Sequence, residues 1–368
     1  MKNRSISLFV LAVLFLNLGV SSFADSKARK AKKSQATQLA LLLPASDGVV
    51  TLDVKRFFGV ALPKILSANQ PMLTEILAKI DEMKSKTGID IRQFEYLAAG
   101  VTAQKISEKE YDLEPVIIAR GRINSGALIG TAKLAANGKY REEKVGEKTI
   151  YVFAAKDIAE QAKQQVPAGK TGMADKILGK LSREVAVTTI DANTLVFGSL
   201  PLVRQTLDAK TTVGTDLTSL LGKRETSVVS FAGKLPTGMS AFLPLENDEL
   251  GKNIESIRYV YGNMDVAGEI TSVNLTARTV QSSQATALLE TLEGLQMLGK
   301  AFLGGAKGAD KQVYVRMIEN AKFSAKGNEV MFDLQVPQSD IDVLVALFEV
   351  NLYSILKIKR RSKRTAFF

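Results

Sequence analysis

The sequence predicts an α+β protein made of two diverged tandem copies of one module, each with a mainly antiparallel sheet and packed helices. Three observations carry this. Short β-branched and apolar runs are joined by tight turns near Gly146, at Asp191-Ala192-Asn193 and at Lys326–Asn328, which is hairpin patterning. Segments with apolar residues at helical spacing stand between those runs. The order of elements then recurs along the chain, at an offset of about 178 residues for the first strand and about 158 for the third.

In the first copy, Gly48–Val54 reads as a strand, and Pro71 opens a helix with Leu73, Ile76, Leu77, Ile80 and Met83 on one face and Gly88 as its stop. Phe94–Val101 and Pro115–Arg122 read as strands, and Ser125–Ala136 as a helix. A hairpin turns near Gly146, polar helices follow near Lys156–Gln164 and Met173–Leu181, and a second hairpin turns at Asp191–Asn193. Ser199 caps a closing helix to about Leu207, with Pro201 tolerated in its first turn. In the second copy the same order runs through Ser227–Pro236, Ile257–Gly268, Ser272–Val280, a helix from Ser282, a hairpin and a closing helix. That last helix carries Ile341, Leu344, Val345, Phe348, Leu352 and Ile355 at helical spacing.

The ends read differently from the body. Residues 1–24 have a short basic start, an apolar run from Ile6 to Val20, and Ser22 and Ala24 before Asp25, the pattern of a secretory signal peptide. Export to the periplasm or cell envelope is the expectation, with membrane anchoring by an uncleaved N-terminal segment as the alternative, since five basic residues follow Asp25 closely. Residues 25–38 read as a basic disordered linker, 39–225 as the first module, 226–356 as the second and 357–368 as a basic tail.

The formal net charge is +11, yet residues 37–356 carry a net charge of about −1. The basicity lies in the ends, including Lys357, Lys359, Arg360, Arg361, Lys363 and Arg364. A nucleic-acid-binding domain carries its basic patch on the fold, so no nucleic-acid partner is expected. Solvated tails suit an anionic membrane or an acidic glycan surface. The sequence names no protein partner.

The chain has no histidine and no cysteine. That excludes imidazole bases, serine and cysteine triads, zinc sites built from His or Cys, haem ligation, thiol redox and disulfides. No metal and no cofactor is expected. Ala168–Gly172 (AGKTG) lacks the first glycine and the preceding strand of a phosphate loop. The two KTG triplets precede the one serine with lysine three residues on, Ser354 and Lys357, which is the wrong order for a penicillin-interacting serine enzyme. Glu246, Asp248 and Glu249 lack the alternating spacing of a calcium loop, and Gly304–Asp310 reads as a flexible connection. The remaining candidate ligand contacts are strand-end arginines: Arg120 and Arg122, which share a face in an extended strand, and Arg278 in the second copy. Pairing of the first two with Glu95 or Glu114 is the competing expectation.

The module, with LLLPASDGVVTLDVKRFF near its start and TLVFGSLPLVRQTLD at its end, resembles uncharacterised secreted bacterial proteins over most of residues 40–350. That resemblance implies no activity. The sequence therefore points to an exported, non-catalytic envelope protein with a binding or scaffolding role. A carrier of an apolar ligand held between sheet and helices is the alternative. A glycan hydrolase working with carboxylates alone ranks below it, because a chain with no tryptophan and 7% aromatics offers few sugar platforms.

Overall fold

The computed structural model describes residues 35–107, 110–154, 184–221, 227–236, 248–305 and 308–347. The expected signal peptide, the polar helices expected near 156–164 and 173–181, and the basic residues 357–368 all lie outside the described residues. The chain divides into two compact units, each discontinuous in sequence. The larger holds Ser26–Phe58 and Ala78–Asn263; the smaller holds Gly59–Leu77 and the residues from Met264 on. Both are antiparallel sheets with packed helices, so the predicted α+β class holds.

The larger unit opens with helix α1 (Gln35–Ala40), which buries Ala36, Thr37, Leu39 and Ala40. The expected linker of 25–38 is therefore too long at its end. The charged run from Lys27 to Lys33 conceals an apolar turn that follows it directly. Strand β1 (Gly48–Asp53) comes next, and Asp53 Oδ1 accepts from Arg56 N at 2.8 Å to start a short helical turn. Helix α2 (Gln70–Thr87) spans the division between the units and stops at Gly88, whose φ of +69° suits glycine and whose N–H donates to Lys84 O. Its end is fixed by Arg92, which reaches Asp81 at 2.6 Å and Asp90 at 2.8 Å, and by Lys84, 3.2 Å from Asp90. The Arg92 hydrogen bond holds the buried Asp90 carboxyl well below the usual carboxylate range, against the opposing effect of burial.

Strands β2 (Phe94–Ser107) and β3 (Glu110–Gly121) are longer than the expected Phe94–Val101 and Pro115–Arg122. In their extensions polar pairs, Thr102 with Glu114 and Gln104 with Asp112, alternate with the apolar pair Ala103–Leu113, a thinner stripe than the Val- and Ile-rich runs that mark the expected strands. Helix α3 (Ser125–Ala135) is capped by Asn124, whose Oδ1 accepts from Ala127 N. The hairpins β4 (Tyr140–Val145) with β5 (Lys148–Ala154), and β6 (Glu184–Asp191) with β7 (Thr194–Gly198), turn where expected. Helix α4 (Leu200–Asp208) follows Ser199, but that hydroxyl donates to Glu114 Oε2 at 3.2 Å instead of capping the helix. Helix α5 (Thr215–Thr218), strand β8 (Val229–Lys234) and helix α6 (Asp248–Glu255) complete this part. Strand β9 (Ile257–Ala267) begins here, where Leu235 N donates to Arg258 O. The strand order is β8-β1-β2-β3-β7-β6-β5-β4, with antiparallel neighbours throughout. The main core, including Leu39, Leu43, Val49, Ile118, Val203 and Leu217, gathers residues of α1, α4 and α5 with those of one sheet face.

The smaller unit holds β10 (Ile270–Thr279), α7 (Ser282–Leu303), α8 (Ala309–Asn320), β11 (Lys322–Lys326), β12 (Glu329–Pro337) and helix α9 (338–347). Its strand order is β10-β12-β11. Val313 and Met317 of α8 pack with Leu334, Val336 and Ile341. Helix α8 begins inside the glycine-rich connection read from the sequence. Among its described side chains only Val313 and Met317 are buried, too sparse a stripe to announce it. In α9, Ile341 is buried and Leu344 and Val345 join the same cluster, as expected; Phe348, Leu352 and Ile355 lie outside the described residues.

Candidate functional site

Residues directly opposite in antiparallel strands project to the same face. The register of the larger unit therefore sorts its side chains into two faces. On one face lies the row Ala232–Val49–Gly100–Val116–Gly198–Ala186, every member of which is buried. On the other lies Phe231–Val50–Ala99–Ile117–Phe197. All five are apolar, none is buried, and Val50 of β1 is 41% exposed against 1% for Val49 beside it.

The glycines repeat the contrast. A methyl group placed on Gly100, facing the core, would lie 2.5 Å from Ser46 Oγ. One placed on Gly48, two residues from Val50 and on its face, would meet nothing within 4 Å. Gly48 and Gly233 stand opposite one another, so backbone alone forms the floor there. Further along, Val187 and Tyr151 continue the open row and pack with Ile123 and Ile129 beneath α3. Lys133 of α3 stands 3.9 Å from the Tyr151 ring centre and donates to Glu142 at 3.0 Å, closing that end with a cation–π contact. The result is a floor of apolar side chains and bare backbone, walled at one end by a helix. Such a surface suits hydrocarbon, and the charged groups Lys133 and Glu142 at its walled end are bonded to each other.

A second polar group borders the closed face. Asp216 Oδ2 accepts from Tyr259 Oη and meets Lys234 Nζ, each at 3.0 Å. Burial would raise the Asp216 pKa, but those two bonds prevail and lower it. This fixes α5 to the sheet. Among the described residues, no group of three or more acidic, histidine or cysteine side chains is placed to hold a metal.

The predicted arginines are held apart. Strand β3 ends at Gly121, so Arg122 lies past it and two-residue alternation does not carry over to it. Arg120 Nε donates to Thr194 Oγ1 at 2.9 Å and its guanidinium is 3.5 Å from Asp191; Arg122 is 3.6 Å from Glu95. Arg278 bonds Glu329 Oε1 through two nitrogens, at 2.7 and 3.0 Å. The six basic tail residues lie outside the described residues.

Arg120 and Arg278 belong to matching clasps. Gly121 and Asn193 exchange Gly121 N to Asn193 O at 3.1 Å and Asn193 Nδ2 to Gly121 O at 3.3 Å. Thr279 and Asn328 exchange the same two bonds, each at 2.9 Å. In both, the arginine one residue earlier donates across to the residue after the asparagine. The hairpins, the arginines and the turns that hold Asn193 and Asn328 are legible in the sequence; the bonds by which those asparagines tie the turns are not.

No family model matches the sequence, and no curated protein matches it. Crystal structures of TP0453 are similar to it at a distance. Crystal form IV gives a TM-score of 0.39 at 10% identity, covering 83% of this chain and 95% of that one. Crystal form III gives 0.39 at 10%, covering 83% and 96%, and crystal form I gives 0.38 at 12%, covering 87% and 100%. A likeness at that distance carries nothing over to this chain.

Proposed function

We propose that this protein is a non-catalytic carrier that holds an apolar ligand against the open face of the larger unit's sheet. The observation that supports it most is the contrast between Val49 and Val50 and the rows they belong to. Strands in a core are apolar because both faces are covered. Here one face is covered, while the other keeps its apolar side chains partly in contact with water. Burying such a row under hydrocarbon contributes about 25 cal/mol per Å². The absence of histidine and cysteine supports the non-catalytic part. The N-terminal pattern supports export to the cell envelope, where the basic ends suit anionic lipid or acidic glycan.

The same reading includes descent from a duplicated module. Its support is the repeated strand, helix and hairpin with the identical Asn clasp, β3-α3-β6-β7 in one unit and β10-α7-β11-β12 in the other. An experimental structure in which the two clasped motifs fail to superpose under one rotation would remove this part of the proposal.

Titration with N-phenyl-1-naphthylamine, a neutral apolar probe that brightens out of water, tests the carrier reading. Saturable enhancement, reversed by a long-chain fatty acid, is the expected result. A linear, non-saturating response would reject it.

A further inference from the structure

We propose that the far end of the α7–α8 hairpin in the smaller unit docks on the surface of an anionic lipid bilayer. Helix α7 is 22 residues long, yet its fully buried residues, Ala285 and Leu288, both lie in its first two turns. Toward its end the packed side is marked by Gln296, whose Nε2 donates to Ile318 O and Ala321 O, and by Gly299, where an added methyl would sit 3.2 Å from Ile318. At 100° per residue, Met297, Leu298 and Ala301 lie on the opposite side, with Phe302 and Leu295 at its flank. All of them are exposed, Leu298 by 55% and Phe302 by 82%. Tyr314 on α8 is exposed as well.

Charge favours a bilayer over a second copy of the chain. The exposed lysines Lys300 and Lys311 flank this apolar end, one in the last turn of α7 and one in the first turn of α8. Interface cores between proteins are depleted in lysine, whereas lysine beside leucine and phenylalanine on a helix end is what an anionic headgroup layer attracts. No helix among the described residues is long and apolar enough to cross a membrane, which fits a surface contact. This site is separate from the open sheet face and does not depend on the carrier reading.

The test is sedimentation of the naturally processed full chain with vesicles of phosphatidylglycerol and phosphatidylcholine, at low salt and at moderate salt that screens the basic tail. The variant L298D/F302D removes only exposed side chains, so it keeps the fold. It should bind at least about tenfold more weakly at both salts, because each lost contact forfeits apolar burial. L134D alters an equally exposed apolar residue on α3 and should bind as the wild type does. The chain has no tryptophan, so F302W supplies a lone reporter whose emission should shift to the blue on vesicle addition. Undiminished binding by L298D/F302D, an unshifted F302W spectrum, or a wild-type dimer that L298D/F302D dissociates would each overturn the proposal.

Discussion

Val49→Asp abolishes cooperative unfolding of the larger unit, while Val50→Asp leaves it nearly intact: that is the expected result of placing one carboxylate on each face of the same strand. Val49 is fully enclosed with Leu39, Leu43 and Ala98 in the main core. A charge there has no partner and no water, and costs more than about 4 kcal/mol, a large share of a domain's stability. Val50 is already partly wet, so its replacement costs about 1 kcal/mol, chiefly lost β-propensity and cross-strand packing on Ala99 and Phe231. Thermal and urea unfolding of both variants checks the claim. Equal losses would mean that the Val50 face is as enclosed as the other.

Arg316→Ala has the second largest effect and acts on the smaller unit. Arg316 on α8 grips Asp340 through three contacts of 2.6–3.1 Å. The Asp340 carboxylate is nearly enclosed, while the guanidinium is half in water. Removing the arginine leaves the carboxylate without that partner and, because water reaches the site once the half-exposed guanidinium is gone, costs about 1.5–3 kcal/mol, less than breaking a fully buried pair. Asp340→Asn, which removes the charge and keeps an acceptor for Arg316, should cost less than Arg316→Ala. Urea midpoints give the ranking; the reverse order would mean that Asp340 is hydrated in the folded state.

Much of the fold is legible in the sequence, and what is not has physical causes. The hairpins at Gly146, Asp191–Asn193 and Lys326–Asn328 announce themselves because turn residues leave few backbone choices. The β2–β3 extension is harder to read because its apolar stripe, Ala103 opposite Leu113, is thin beside the polar pairs Thr102–Glu114 and Gln104–Asp112. Helix α1 stays hidden because it follows a run of lysines, and α8 because its buried stripe is two residues wide. The arginines are visible as strand-end charges, but that β3 stops between Arg120 and Arg122 is not.

The open face is the least legible feature of all. Val49 and Val50 are the same residue type, and Gly48–Val54 reads as a strand with nothing to say which of its faces is covered. Only the pairing of β1 with β2 and β8 sorts one valine into the core and the other into the open row. Composition cannot distinguish apolar surface that folding covers from apolar surface that folding leaves for a ligand.

The most direct measurement is mass spectrometry of the organic extract from wild-type and Val50→Asp protein, each purified from its native envelope without detergent. The account predicts one class of apolar molecule in near-stoichiometric amount with the wild type, and its loss from the folded variant. A wild-type extract holding only background lipid, or equal amounts in both, would contradict it.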